Sequence, residues 1–282
     1  MSPRALVLAL AAAACLAIAS VVQQDAARAV LHHGGAIKLF IRLLRTPKWL
    51  LGRTVDTGAL ILQAFALAHG SLIAVQAALT TSVVIALLLE ILAGRRVHVR
   101  ELIGAGAVVI GATVLLAVGR PSDDGHRASL VVWAMVFAVA GVVVFVSSRK
   151  AHDVHHATRT ASVLAVATGV CFALDAASLK ALGEGGHAGR VVLFAAAFVV
   201  AALSGNILVQ RAFQLAPLNA SLPVLTATTP VAGVVVGAVL FHERFRSGLA
   251  TRSVAFGAVV VLAGGALLAA RPRRDVADVR AP

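Results

Sequence analysis

Apolar residues run along this chain in nine long blocks separated by short polar segments. The blocks cover roughly residues 5–22, 49–69, 71–94, 101–119, 129–147, 161–182, 189–211, 217–241 and 251–270. Within each block the apolar residues are continuous rather than alternating. A run of about 20 apolar residues is the length a helix needs to cross a bilayer. The bilayer core offers no water to backbone groups, so a crossing segment satisfies them internally, as a helix. A membrane barrel would show alternating stretches of about ten residues instead. The pattern predicts an all-α polytopic membrane protein with about nine transmembrane helices, or ten if a short span lies near 33–47.

Two segments carry more than span length. The first, MSPRALVLALAAAACLAIAS, also has the shape of a signal peptide; its place in the repeat described below argues that it is kept. The second, AIKLFIRLLR, places Lys38, Arg42 and Arg45 at i, i+4 and i+7, on one helical face. That face suits a helix lying on an anionic membrane surface, and an ordinary basic connector fits equally well.

Composition agrees with the pattern. Of the 282 residues, 60% are hydrophobic and 13% are charged, and the mean hydropathy is +0.93. Soluble domains have about 45–50% apolar and about 25% charged residues. The net charge of +13 does not point to nucleic acid, because the bases lie in the short loops between apolar blocks. Nine spans place 17 of the 25 bases on one side, among them Arg95, Arg96, Arg149, Lys150 and Arg271, and 8 on the other. By the positive-inside rule the first side is cytoplasmic. The reading is a multi-pass protein of the plasma membrane with its C-terminus inside. Cys15 and Cys171 both fall within spans and have no metal-ligand spacing, so they read as small apolar residues.

The chain also repeats itself. FALAHGSLIAVQAALTTS (65–82) aligns with FQLAPLNASLPVLTATTP (213–230) at an offset of 148, which also places Arg96 on Arg244. GAVVIGATVLLAVGR (106–120) aligns with GAVVVLAGGALLAAR (257–271), and CLAIAS (15–20) with CFALDA (171–176). Helices 1–4 thus match helices 6–9. A five-helix offset reverses orientation, so the halves read as inverted repeats, an architecture of many secondary transporters. The division is 1–128 for the first repeat and 129–160 for linker helix 5 with its loop. Residues 161–271 form the second repeat, and 272–282 a cytoplasmic tail.

The element AFQLAPLNASLPVLTATTPVAGVVVGAVLFHERF, followed by a glycine-rich last helix, resembles the second half of an EamA-type transporter of the drug/metabolite transporter superfamily. The stretch TPKWLLGRTVDTGALILQAFALAHGSLIAVQ, with Trp49 to Gly52 after a basic loop, resembles the NIPA-type magnesium transporter branch. The resemblance implies a helix, a Glu-Arg turn and a further helix at the end of each half. Glu243 and Arg244 occupy that turn in the second half, whereas Arg95 and Arg96 replace it in the first. It implies a transported solute, with Mg²⁺ the substrate on the NIPA side.

Ionisable residues at membrane depth cost about 2.5–3.5 kcal/mol each on insertion scales, so each needs a reason. Asp175 stands in helix 6 where the first repeat has Ala19. It reads either as the binder of a cation, a proton or a cationic group, or as a buried hydrogen-bonding residue. Lys180, five residues on, is expected to snorkel to the outer interface. Gln63 and Gln76 lie deep in helices 2 and 3, and Asn206 and Gln210 share a face of helix 7. These four are either glue between helices or the lining of a pathway. Arg53 and Asp56 read as a local pair at the cytoplasmic end of helix 2, and Glu90 as a partner of Arg95 and Arg96. Helix 8 carries Asn219, Pro223, Thr228, Thr229 and Pro230, and the missing donors of its two prolines break the helical ladder. His152, Asp153, His155 and His156 read as a polar loop. No GxxxxGK[ST], HExxH or GxSxG occurs, so neither nucleotide drive nor the commonest hydrolase chemistries are indicated.

The expectation is a secondary transporter rather than an enzyme, without cofactors, working in lipid on a small molecule or cation. A homodimer is left open. The substrate site is assigned to Asp175, Asn206, Gln210, Gln63, Gln76, Asn219, Thr228 and Thr229. The alternatives are a NIPA-type divalent-cation transporter and a non-transporting scaffold.

Overall fold

A computed structural model describes residues 2–29, 36–94, 97, 99–114, 127–150, 157–215, 218–245 and 249–269. They form helices, with no β-strand among the described residues: α1 (Pro3–Ala29), α2 (Ala36–Leu43), α3 (Pro47–Ala68), α4 (Leu72–Leu79), α5 (Ser82–Leu92), α6 (Val99–Val114), α7 (Leu130–Lys150), α8 (Ala157–Gly183), α9 (Ala188–Leu215), α10 (Leu218–Leu240) and α11 (Leu249–Ala269). Six segments are long and apolar enough to cross a membrane: α1, α3, α4 with α5, α7, α8 and α9. Shorter apolar helices lie at Leu102–Val114, Val224–Leu240 and Arg252–Ala263. Large apolar side chains such as Leu51, Phe65, Val139, Phe145, Val200 and Phe256 point outward. An apolar surface this broad suits lipid rather than water. The fold is that of an all-α, membrane-embedded protein.

Small residues let the helices meet. Ala9, Ala12, Ala13 and Ala17 of α1 are buried where it packs along α3, and α8 packs along both α9 and α10. One close approach is at Gly169 of α8, where a Cβ would sit 2.7 Å from Cβ of Thr228 and 3.0 Å from the Thr229 nitrogen. Close backbone contact through small residues replaces the hydrophobic driving force that lipid removes. α1 also contacts α4, α5 and α9. The short α2 rises about 12 Å, too little to cross, and lodges Leu43 inside while Phe40 meets Trp49 edge-on at 5.6 Å.

The break expected in helix 8 is found elsewhere. α10 runs unbroken through Pro223 and Pro230. The interruption falls at Thr80 and Thr81, between α4 and α5. There the backbone tightens to i→i+3 bonds, Thr80 N–H to Ala77 O at 3.3 Å and Thr81 N–H to Ala78 O at 3.2 Å. Both threonine hydroxyls bond the same two carbonyls, at 2.7 and 2.9 Å. Hydroxyls that donate to carbonyls of the preceding turn compete with the helical ladder. Thr228 and Thr229 donate instead to carbonyls four residues back, at 2.7 and 2.9 Å, and the helix survives.

Candidate functional site

Two polar clusters lie inside the bundle. One is a cavity of about 170 Å³ bounded by α1, α3, α4, α5, α8, α9 and α10. The spacing of its lining on α3 shows how the sequence builds it. Arg53, Asp56, Thr57, Leu60 and Gln63 recur at intervals of three and four, so one helical face presents them all. From α1 come Leu16, Ser20 and Gln23; from α9, Phe198, Ala202, Asn206, Val209 and Phe213.

Arg53 and Asp56 form the local pair that their spacing suggests, and they do more than pair. They stand in the cavity wall, because α3 begins at Pro47 and turns that face inward. Arg53 is ion-paired with Asp56 and also donates to Asn206 Oδ1 at 2.5 Å, tying α3 to α9. The Asn206 amide nitrogen donates to Ala202 O at 2.8 Å.

Of the residues assigned from sequence, Asp175, Gln63, Gln76, Asn206 and Thr229 line the cavity. Asp175 pairs with no cation among the described residues. Gln76 is 1% exposed, and neither atom of its amide has a hydrogen-bond partner. Gln210 stands behind the wall rather than in it: its nitrogen donates to Gln23 Oε1 at 2.7 Å and so holds Gln23 at the cavity. Thr228 packs against Gly169 on α8. Asn219 lies in α10 with its side chain outside the described residues, as do His152, Asp153, His155, His156, Arg95 and Arg96. Glu90 is buried on α5.

The second cluster closes the other end of the bundle. Lys180 does not snorkel outward. It is buried, and its ammonium donates to Glu243 Oε1 at 2.6 Å. Glu243 also accepts from the backbone N–H groups of Leu72 at 2.7 Å and Ile73 at 3.0 Å, the first turn of α4. A carboxylate at a helix N-terminus satisfies donors that have no partner within the helix and favours the positive end of the helix dipole. Local sequence aims it there. His242 takes a left-handed conformation with φ 51, ending α10 and turning the chain back. Glu243 N–H then donates to Gly237 O at 3.1 Å. A Cβ on Gly237 would come within 2.9 Å of Glu243 Oε2, so a side chain there would push the carboxylate aside. The Phe241 ring receives Lys180 at 4.6 Å and Arg127 at 5.0 Å. Arg244, next in the turn, is exposed.

The two clusters are separate. Lys180 and Glu243 do not line the cavity. Asp175 lies five residues along α8 from Lys180, about 7.5 Å by helical rise. Arg53 lies 15 residues from the α4 end of α3, about 22 Å. The cavity thus begins below the Lys180–Glu243 pair and extends toward the end that carries Arg53.

Fold and site together define a helical membrane protein with a cavity that mixes apolar and charged side chains and a buried ion pair at one end. No family model matches the chain, and no solved structure does. The chain is similar to an uncharacterised protein of Corynebacterium glutamicum, 27% identical over 212 residues, which cover 73% of each chain.

Proposed function

We propose that this chain is a secondary transporter that moves a small organic solute across the plasma membrane by alternating access. The observation that carries the reading is the cavity itself, a largely apolar chamber within the bundle that has Asp175 and Gln76 in its wall. The inverted-repeat reading fits the helix contacts. α1 packs on α3 as α8 does on α9, and α1 on α5 as α8 on α10. The equivalents α6 and α11 face each other, as do α4 and α10. This supports two matched halves with a substrate chamber between them; nine spans and a C-terminus inside belong to the same proposal. The Lys180–Glu243 pair is then the closed outer gate, and the cavity is the inward-facing chamber. The EamA-like character of the second half remains part of this proposal.

A divalent cation ranks below an organic solute. Such an ion takes six or more oxygen ligands or keeps several waters, and among the described residues no three of His, Cys, Asp and Glu converge.

The test needs no substrate. Ser82 lines the cavity and tolerates Cys in size; Cys15 and Cys171 are first changed to Ala. In sealed vesicles a membrane-impermeant thiol reagent is applied from one side or the other. Labelling of Ser82→Cys from both sides is the expected result. Labelling from one side only, in protein shown to be folded, would overturn alternating access.

A further inference from the structure

We propose that the cavity takes a compact organic monocation, a protonated amine on an apolar body, with Asp175 as its counter-charge and the Gln76 amide as its second anchor. This rests on the transporter reading for its direction of movement, but the binding site stands or falls separately.

Charge comes first. The titratable residues that line the cavity are Arg53, Asp56 and Asp175. The Arg53 guanidinium is engaged by Asp56 and Asn206, which leaves one acid in excess and no cation available to an anionic ligand. A monocation supplies the counter-charge that no described residue gives Asp175. Hydrogen bonding comes second. A primary amide offers two donors and one acceptor oxygen, and the Gln76 amide, buried at 1% exposure, has none of these satisfied. A buried polar group left unpaired is costly, so its carbonyl is free to take an N–H of the ammonium. Shape comes third. Leu16, Leu60 and Leu79, with Phe172, Phe198 and Phe213, form the apolar wall. Aromatic faces also attract cations. At about 170 Å³ the chamber is smaller than sites for drug-sized ligands, roughly 300–1,000 Å³.

Three probes of one shape test the class: benzylammonium, benzyl alcohol and benzoate. Each is added at millimolar concentration and neutral pH to the full chain in detergent, and the thermal midpoint is read. Benzylammonium raises the midpoint; the alcohol and the acid do not. In Asp175→Asn the benzylammonium shift disappears, and in Gln76→Met the affinity falls about tenfold or more, as befits a lost hydrogen bond to a charged group. A shift with benzoate or benzyl alcohol equal to that with benzylammonium, no shift with any probe, or a full shift in Asp175→Asn would each overturn the proposal. The wild-type probe series stands on its own if a variant does not fold. One-sided labelling of Ser82→Cys with normal benzylammonium binding removes the transporter and keeps the site. Two-sided labelling without benzylammonium binding does the reverse.

Discussion

The buried pair of Lys180 and Glu243 makes a prediction with a definite sign. Their side chains are 5% and 0% exposed, and the carboxylate serves three donors: the ammonium at 2.6 Å and two backbone N–H groups of α4 at 2.7 and 3.0 Å. Removing one partner of a buried pair leaves an uncompensated charge and costs about 3–5 kcal/mol, whereas replacing both charges at once is often close to neutral. In Glu243→Gln, Lys180 stays buried without its counter-ion, and a neutral amide oxygen replaces a carboxylate that served two N–H groups. That loss belongs at the upper end of the range. In Lys180→Met the carboxylate keeps both backbone donors and the favourable end of the α4 dipole, worth up to about 2 kcal/mol, so the loss belongs at the lower end. The double variant should be more stable than Glu243→Gln alone. The assay is denaturation of the detergent-solubilised protein followed by helical circular dichroism, analysed as a double-mutant cycle. Losses that simply add in the double variant, or single losses below about 1 kcal/mol, would refute a tightly coupled pair.

Two further outcomes follow from neighbouring geometry. Gly169→Val should destabilise by about 1–3 kcal/mol through overpacking, because its Cβ meets Thr228 at 2.7 Å and backbone nitrogen at 3.0 Å; denaturation midpoints read this directly. Arg53→Met removes the partner of Asp56 and the bond to Asn206. Stability should fall by about 3 kcal/mol while the benzylammonium shift grows, since a second acid is then unpaired beside the ligand; a shrinking shift would place Arg53 among the ligand's own contacts.

Membrane character was legible because length and continuity of apolar runs are local properties. The positions of α1, α3, α7, α8 and α9 follow from that pattern. What could not be read locally was which polar residues meet. Arg53 and Asp56 look like a surface pair in isolation, three residues apart near a helix start. Their spacing to Leu60 and Gln63 was a usable signal, since a face that holds Gln63 inside must hold them inside too. Gln23 was missed because α1 continues to Ala29, seven residues beyond the apolar run. Lys180 and Glu243 are 63 residues apart, and nothing in either neighbourhood announces the other. The helix break was misplaced for a different reason. Proline removes a donor, but α10 tolerates this, whereas the paired threonines between α4 and α5 tighten the backbone with their own hydroxyls.

The two polar clusters separate structural from functional burial on physical grounds. At the Lys180 end every charge is answered: an ammonium, a carboxylate and two backbone donors close on one another, and an aromatic ring takes the remaining face of the cation. Such a cluster resists change, and it joins α8, α4 and the turn after α10 into one closed end. In the cavity the account does not balance. Two acids face one guanidinium, and a buried amide has no partner. A ligand from outside the chain can relieve that deficit, so the unbalanced cluster is the place to look for a ligand and the balanced one for a gate. A gate built this way opens only when the loss of its ion pair is offset, and a cation that neutralises Asp175 about 7.5 Å further along the same helix is well placed to bias that equilibrium.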